Sequence, residues 1–362
     1  MRNNFMNRKS SLQLISTLSD ANGPSGFEDE VIALGKKVAE DFASVSEDSL
    51  RNLYLSRREN TGTRPMVMLD AHADEVGFMI RAILPNGTMK FMPLGGWSSY
   101  TVPASKVRVR ALDGSWISGV VASRPVHYMS AAERGKSPEI ADMVIDIGVT
   151  SAEEAVSFGM AVGAPVVPDV SFEYNEKNGV MLGKAFDCRV GCSALCDVLR
   201  ELSGEELAVD VTGVFTSQEE VGDRGVQVAA QTVHPDLAIV FEGAPADDTF
   251  LPEAEIQTGM GRGAMLRHID VGMITNPRLM RYTLDLAHEN GIPVQEAVRT
   301  GGRTNGAQIN LTGQGVPTIV ISVPVRYAHT HHGFSSIADY ENVVRLAVQL
   351  VRSLDEEVIS TF

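Results

Sequence analysis

The sequence has little cysteine and no long apolar run. Only three of its 362 residues are cysteines. A low, odd count fits a reducing compartment, so we expect a cytoplasmic protein. No stretch approaches the roughly 18 apolar residues that span a bilayer, and the polar, basic segment 1–11 has no apolar core typical of a secretory signal. These absences disfavour a membrane or secreted protein.

Positive charge is also scarce. Lysine and arginine total 31 against 46 acidic residues, which gives a formal net charge of −15. No basic stripe offsets this charge, which argues against a surface for nucleic-acid phosphates but does not forbid peptide binding. The hydrophobic fraction of 44% and the charged fraction of 21% are ordinary for a soluble globular protein.

The three cysteines, Cys188, Cys192 and Cys196, are spaced by four residues and would share one face of a helix. This pattern has two interpretations. One is a thiolate metal site, and the other is three small buried residues where a helix packs tightly on a sheet. We favour packing, because free cysteine is among the most buried residue types and no CxxC spacing is present.

The length and the periodicity predict two domains. Residues 1–72 plus 173–362 alternate strand and helix, which predicts an α/β domain with a mostly parallel sheet covered by helices on both faces. Residues 73–172 show short strands with the turn signals Asn86-Gly87 and Asp113-Gly114, which predict an inserted small β-rich domain. Ser25 and Glu28 have the spacing of a capping box and predict a helix start there.

Six ionisable residues stand beside glycines or at the ends of apolar runs, far apart along the chain. In order they are His72, Asp187, Glu219, Glu220, Glu242 and His329. Each has an ordinary alternative, such as a hydrogen-bonded turn histidine, a helix N-cap or a solvated acidic turn. Because ligands gather beyond the carboxyl ends of parallel strands, the position of all but Asp187 at predicted strand ends favours one common site.

Two imidazoles and several carboxylates suit a pair of divalent cations with one glutamate left as a base. Asp187 could bridge the cations, Glu220 could bind one, and Glu219 could act as general base. Asp74 could orient the ring of His72 by accepting its second N–H. Zn, Co and Mn all accept such mixed ligands. Near His329, His331 is a minor candidate ligand, and His332 is expected to face solvent.

The order of motifs resembles that of the tetrahedral aminopeptidase family, metallopeptidase family 42, which includes glutamyl, leucyl and lysyl aminopeptidases. The matching stretches cover nearly the whole chain: GPSGFE at 23–28, AHADEVGF at 71–78, GGW at 95–97, FDCRVG at 186–191, QEEVG at 218–222 and PVRYAH at 324–329. The resemblance implies a zinc-peptidase-like fold whose inserted β domain drives assembly into dimers, and possibly into a twelve-subunit tetrahedron.

The same resemblance implies a role for each site residue. Asp187 would bridge two metals, one also held by His72 and Glu242 and the other by Glu220 and His329. Glu219 falls on the catalytic base, and Asp74 on the acid behind it. Arg303 and Asn305 fall in a segment that we predict to contact substrate. Glu242 and Asn305 stand where the family commonly has Asp, and the tail HTHHGF at 329–334 also differs.

We therefore expect a cytoplasmic, dinuclear-metal aminopeptidase that removes N-terminal residues from short peptides. One alternative is a related metal amidase, an N-acyl amino-acid deacylase or a carboxypeptidase-like hydrolase. Another is a metal-free glycoside hydrolase with two carboxylates, which a chelator would leave active. A third is a non-enzymatic binding protein on a hydrolase scaffold, against which the retention of Glu219 argues.

Overall fold

The computed structural model describes residues 7–362, apart from the side chain of Glu133. The first six residues, which belong to the segment 1–11 and to the predicted domain 1–72, lie outside the described residues. The α-helices, α1 to α10, run Arg8–Asp20, Asp29–Ala39, Ala131–Arg134, Ala152–Ser157, Phe186–Glu201, Arg224–Val233, Pro277–Glu289, Gly306–Ile309, Ile337–Ser353 and Glu356–Ile359. Among the described residues, no helix is long and apolar enough to cross a bilayer.

The strands fall into one large sheet and one closed barrel. Strands β1 to β17 run Ala43–Glu47, Leu53–Arg57, Met66–His72, Gly77–Ile83, Met89–Leu94, Lys106–Arg110, Trp116–Ala122, Val144–Asp146, Pro165–Pro168, Glu173–Asn175, Val180–Gly183, Asp210–Thr216, Leu237–Pro245, Ala264–Ile269, Val294–Val298, Thr318–Arg326 and Gly333–Ser336. The sheet has the order β1-β2-β12-β3-β13-β16-β17-β11-β10, with β14 beside β16 and β15 beside β14.

The prediction of a mostly parallel sheet is wrong. Its centre, β12-β3-β13-β16, is parallel, as is the β14–β15 pair, but six of the ten strand pairings within the described chain are antiparallel. Parallel neighbours need a crossover, which α5 and α6 supply before β12 and β13. The outer strands are joined by short connections that reverse direction, such as those of β1–β2 and β10–β11.

Alternate residues of the central strands enter two separate hydrophobic cores. In β3, Val67, Leu69 and Ala71 pack in a core that includes residues of α1, α5 and α9. Met68 points the opposite way and packs in a core that includes residues of α6 and α8. Because side chains alternate along a strand, both faces of the sheet are buried. Polar side chains therefore collect where the strands end.

The barrel has the strand order β4-β5-β8-β7-β6-β9 and a hydrophobic core of its own. Its strands lie between Gly77 and Pro168, inside the segment 73–172, whose status as a separate domain stays a prediction. Both predicted hairpin turns are present: Asn86-Gly87 joins β4 to β5, and Asp113-Gly114 joins β6 to β7. Gly87 and Gly114 have φ of +86° and +88°, the left-handed backbone that favours glycine.

The capping box predicted at Ser25 and Glu28 is wrong. Helix α2 begins at Asp29, its N-cap residue is Glu28, and no side chain caps it. The Ser25 hydroxyl instead donates to Asp74 Oδ2 at 2.6 Å, and Glu28 Oε1 accepts from the backbone N–H of Gln218 at 3.1 Å. Glu28 Oε1 also accepts the backbone N–H of Gly26 at 2.8 Å, so only the Ser25 hydroxyl has exchanged the helix end entirely for a distant partner, a charged acceptor that makes a stronger hydrogen bond.

Packing, the favoured interpretation of the three cysteines, is confirmed. Cys188, Cys192 and Cys196 are buried in α5 within the large hydrophobic core. Burial raises the pKa of the Cys192 thiol to about 12 and that of Cys188 and Cys196 well above the ordinary range. Although Cys188 Sγ lies close to His72, Asp187 and Glu242, it donates to the Phe241 carbonyl at 3.1 Å.

Candidate metal centre

The predicted site residues meet at the carboxyl edge of the central parallel strands. His72 ends β3 beside Thr216, the last residue of β12, and Glu242 in β13 lies beside Ser322 in β16. Glu219 and Glu220 follow directly after β12, and His329 follows β16. Because the four strands run the same way, residues separated by more than two hundred positions arrive at one edge.

Asp187 lies between the two histidines. Its Oδ1 is 3.1 Å from His72 Nε2, and its Oδ2 is 3.3 Å from His329 Nε2. Asp187 is not the N-cap of α5, which is Ala185; its own φ of −85° and ψ of 105° are non-helical. Gly243 allows β13 to approach here, since a Cβ on it would lie 2.8 Å from Asp187 Cα. The backbone thus holds this carboxylate in a bridging position.

The site divides into two halves that share Asp187. The His72 half consists of His72, Asp187 and Glu242, with Glu242 Oε2 3.8 Å from His72 Nε2. The His329 half consists of His329, Asp187 and Glu220, with Glu220 Oε1 3.4 Å from His329 Nε2. In each half the ligand atoms lie within 4.8 Å of one another, a separation that one cation can span.

The electrostatics of the site fit cations. Burial raises the pKa of Glu219 and Glu242 well above the ordinary range and that of Glu220 to about 7. Burial alone would lower the pKa of His329, but the neighbouring Glu220 and Asp187 raise it to about 10. Glu220 Oε1 is buried without a hydrogen-bond partner among the described residues. Carboxylates this close together repel one another unless they are protonated or bind metal ions. The Glu220 oxygen without a hydrogen-bond partner is therefore suited to a cation.

Asp74 supports both His72 and the Glu219–Glu220 turn. His72 Nδ1 donates to the backbone oxygen of Asp74 at 3.1 Å, and the Asp74 carboxylate is 3.4 Å away. The prediction placed the orienting bond on the carboxylate, whereas the closer acceptor is the carbonyl. That carboxylate accepts the backbone N–H of Glu219 at 3.0 Å and of Glu220 at 3.2 Å, and so fixes the turn that carries both glutamates.

Three other predicted residues have different surroundings. His331 is 4% exposed, its ring nitrogens have no partner within residues 7–362, and it faces Trp97 rather than the carboxylates. His332 is exposed, as predicted. Asn305 does not line the cavity beside the site; it is buried, and its Nδ2 donates to Asp70 Oδ2 at 2.9 Å and to Thr216 Oγ1 at 2.8 Å. Its side-chain amide therefore bonds to β3 and β12 behind the site and does not face the cavity.

Arg303 does line that cavity, which has a volume of about 990 Å³ and is bounded on one side by Asp187, Glu219, Glu242 and His329. Its Nε forms an ion pair with Asp223. The sequence prediction missed two further arginines in the same wall, Arg267 and Arg299. The spacing of Arg267 and Asp270, which pair at 3.0 Å, was the one local signal that could have drawn attention to this wall.

Glu28 was also missed as part of the site. It is 1% exposed, and burial together with the neighbouring Asp74 raises its pKa to about 7. One of its oxygens accepts from Gln218, the residue before Glu219. Its spacing from Ser25 predicted a local role at the start of a helix, and nothing in the sequence indicated the distant contact with Gln218.

Known proteins resemble this chain in sequence and fold over almost its whole length. The model of the M42 glutamyl aminopeptidase family matches residues 52–346. The glutamyl aminopeptidase of Lactococcus lactis subsp. cremoris is 30% identical over 96% of this chain and 97% of its own. A TET aminopeptidase from a marine sediment thaumarchaeon superposes with a TM-score of 0.94 at 39% identity, covering 97% and 99% of the two chains.

The TET1 peptidase of Pyrococcus horikoshii, described as assembling into a tetrahedron or a large octahedral shell, superposes with a TM-score of 0.85 at 26% identity over 96% and 100% of the chains. Family match, sequence relatives and fold agree with the resemblance carried by the ordered motifs. The chain therefore belongs to the M42 family of aminopeptidases, and it is a hydrolase that acts on peptide bonds.

Proposed function

We propose that the chain is a dinuclear-metal aminopeptidase, with one cation in the His72 half and one in the His329 half. The observation that carries this proposal is the position of Asp187, whose two oxygens face the two histidines separately. Zn, Co or Mn would suit these ligands. When bound, two such cations polarise the scissile carbonyl and lower the pKa of the attacking water. The contacts that support the proposal are those that Asp187 makes with His72 and His329.

In this proposal Glu219 is the general base. Its ligand atom lies within 4.8 Å of those of His72 and Glu220, a third group that would suit a cation, but each half already has three ligands without it. The buried setting that raises its pKa suits a group that takes a proton from water and then passes it to the leaving amine. Asp74 holds its backbone N–H, so the carboxylate is aimed from a fixed turn.

Cleavage after the first residue requires a feature that recognises a free α-amino group. Glu242 is 5% exposed and lies at the cavity wall, where a carboxylate can pair with an ammonium group. A peptide with a blocked N-terminus would lose that pairing. The contrast separates an aminopeptidase from the alternative metal amidase, which acts on N-acyl substrates.

The cavity wall favours an acidic N-terminal side chain. Arg267, Arg299 and Arg303 line it, and outside the candidate metal centre only Asp247 and Glu255 oppose them among the described lining residues. Asp247 already accepts the backbone N–H of Thr258 at 3.0 Å. Arg299 donates to the Pro245 carbonyl at 2.7 Å and lies 3.9 Å from Asp247, so its charge has no hydrogen-bonded carboxylate within the described chain. The glutamyl activity named for the lactococcal relative agrees with this preference.

The proposed assembly is a homo-oligomer, either a dimer or a dodecamer. Nine of the large apolar side chains that are exposed lie on the barrel segment: Met92, Tyr100, Leu112, Val120, Val126, Tyr128, Val156, Phe158 and Val162. Contact between copies of the chain through this segment would bury these side chains. Light scattering coupled to size exclusion would distinguish a dimer from twelve subunits, and a monomer at all concentrations would contradict the proposal.

The test of function begins with protein stripped of metal and refilled with Zn, Co or Mn, one at a time. The substrates are anilides of Glu, Asp, Leu and Lys, together with N-acetyl-Glu anilide. We expect metal-dependent turnover of the free anilides, Glu and Asp first, and none of the blocked one. Turnover of no free anilide with any of the metals would contradict the proposed function.

Arg299→Met tests the acidic preference separately. Loss of a charge-assisted hydrogen bond costs about 1.5–3 kcal/mol, so kcat/KM for Glu anilide should fall about 10- to 100-fold while that for Leu anilide stays near wild type. The control is Arg262→Met, because Arg262 is an exposed arginine paired with Glu253 and does not line the cavity. Equal losses on both anilides would contradict the assigned preference.

A further inference from the structure

The loop that follows β5 of the barrel reaches the His329 half of the site. The backbone oxygen of Gly96 accepts from His329 Nδ1 at 2.8 Å. Because a carbonyl only accepts, this bond places a proton on Nδ1 and leaves Nε2 for the carboxylates or a cation. The acceptor that orients this imidazole therefore comes from the barrel and not from the sheet that carries the histidine.

The loop also lies against the second ligand of the same half. A Cβ on Gly95 would be 2.8 Å from Glu220 Oε2 and 2.7 Å from Val76 Cγ1, and Gly95 has φ of +81°. A Cβ on Gly96 would be 3.2 Å from His329 Nδ1. Only bare backbone fits in this space, so the loop shapes the walls around both Glu220 and His329.

Trp97 anchors this loop. Its Nε1 donates to the Gly77 carbonyl at 3.0 Å, and its ring stacks on Phe78 with centroids 4.7 Å apart and an interplanar angle of 24°. Its ring also lies 5.0 Å from that of His331, two residues beyond His329. One indole therefore touches both the barrel core and the segment that carries the metal ligand.

The His72 half has no such dependence. His72 receives its orienting carbonyl from Asp74, two residues along the same chain, and Glu242 belongs to a central strand. Every side chain of that half is held by the sheet edge and its own flanking residues. The two halves therefore differ in whether the loop after β5 supports them, although they share Asp187.

We propose that Trp97 is a positioning residue for His329, so that cation binding in the His329 half depends on the barrel loop, whereas binding in the His72 half does not. This inference rests on the proposed two-metal function. Partners that orient a metal ligand are typically worth about 10- to 100-fold in metal affinity. Loss of the Trp97 anchor should therefore weaken one cation site by that factor and leave the other unchanged.

The experiment is calorimetric titration of metal-stripped protein with Co²⁺ for wild type, Trp97→Ala, Trp97→Phe and His329→Ala. We expect two binding events in wild type, and in Trp97→Ala the event that belongs to the His329 half should lose about 10- to 100-fold in affinity. The event abolished by His329→Ala identifies the His329 half. Trp97→Phe keeps an aromatic ring but loses the N–H, so it should lose less metal affinity than Trp97→Ala. This variant replaces Trp97→Ala if the alanine variant does not fold.

The matched control is Trp116→Ala. Trp116 is also half-buried on the barrel, but its Nε1 donates to Glu30 Oε1 at 2.8 Å, and neither residue belongs to the metal centre. It should keep both binding events. Unchanged binding in folded Trp97→Ala, or equal weakening of both events, would overturn the inference. Fewer than two binding events in wild type would instead refute the two-metal function on which it rests.

Discussion

The two halves of the metal centre are made of similar ligands but are supported differently. His72 ends a buried strand, is 2% exposed and is oriented by its own neighbour Asp74. The side chain of His329 is 35% exposed, stands in a turn after β16 with φ of +58°, and is oriented by a carbonyl of the barrel. One half is a product of the sheet edge, whereas the other also depends on the loop that follows β5 of the barrel.

The largest expected effect concerns Glu219, the proposed general base. Glu219→Gln removes the proposed base but keeps a hydrogen-bonding side chain of the same size. We expect kcat to fall by about 10²- to 10⁴-fold while both cations still bind. Enzyme assays alongside metal analysis of the same sample check this, and full turnover would place the base elsewhere.

The next effect compares the histidines directly. In metal-free protein, His72→Ala leaves the buried Asp187 and Glu242 without a cation, and loss of one partner of a buried pair costs about 3–5 kcal/mol. His329→Ala should cost less, because the side chain of His329 is partly exposed and solvent screens its charge. Denaturant unfolding of both stripped variants measures the difference, and equal losses would remove the contrast between the halves.

A third expectation concerns pH, because protons substitute for cations in the His329 half. In the metal-free protein the pKa of Glu220 is about 7 and that of His329 about 10, against ordinary values of 4.5 and 6.5. A group whose pKa is raised by folding stabilises the fold below its unfolded pKa, and this is lost as pH rises through the folded pKa. Stability of stripped protein should therefore fall from pH 4.5 to 7 through Glu220 and from 6.5 to 10 through His329.

Thermal unfolding of stripped and metal-loaded protein between about pH 5 and about pH 9 checks this sign. Bound cations replace the protons, so the gap in Tm between the two forms should widen as pH rises. Parallel curves would show that neither group is coupled to metal binding.

The smallest effect tests the shared support. Ser25→Ala removes the hydroxyl that donates to Asp74 at 2.6 Å, and a lost hydrogen bond of this kind costs about 1 kcal/mol. We expect a modest loss of stability and a reduction of kcat without loss of metal. The control is Ser360→Ala, because the Ser360 hydroxyl bonds within an exposed helical turn. A fall in kcat no larger than that of the control would mean that Asp74 is held without Ser25.

Much of the fold followed from local patterns. The apolar run that ends at His72 predicted a buried strand, and the turn pairs Asn86-Gly87 and Asp113-Gly114 predicted hairpins that the structure contains. Strand direction at the sheet edges was missed, because alternation of strands and helices does not say which strands pair. The role of Ser25 was missed because an acceptor 49 residues away outcompeted the helix end.

The site was predictable where charge breaks an apolar run and unpredictable elsewhere. Glu242 follows five apolar residues, and a buried charge in that position needs a partner. Arg267 and Arg299 carry a weaker signal, because Arg267 follows a run of only three apolar residues and Arg299 lies after β15, so only the cavity gives them meaning. Asn305 stands in a motif that predicted substrate contact, yet the structure turns its side chain toward Asp70 and Thr216.

The sequence by itself determined which side chains could hold metal and in what order they occur, because imidazole and carboxylate groups belong to particular residues. Only the tertiary structure decided which backbone oxygen orients each histidine, that of Asp74 for His72 and that of Gly96 for His329. Every residue carries the same carbonyl, so no pattern of letters could distinguish that of Gly96 from any other. The contact exists because β5 and β16 end close together in space.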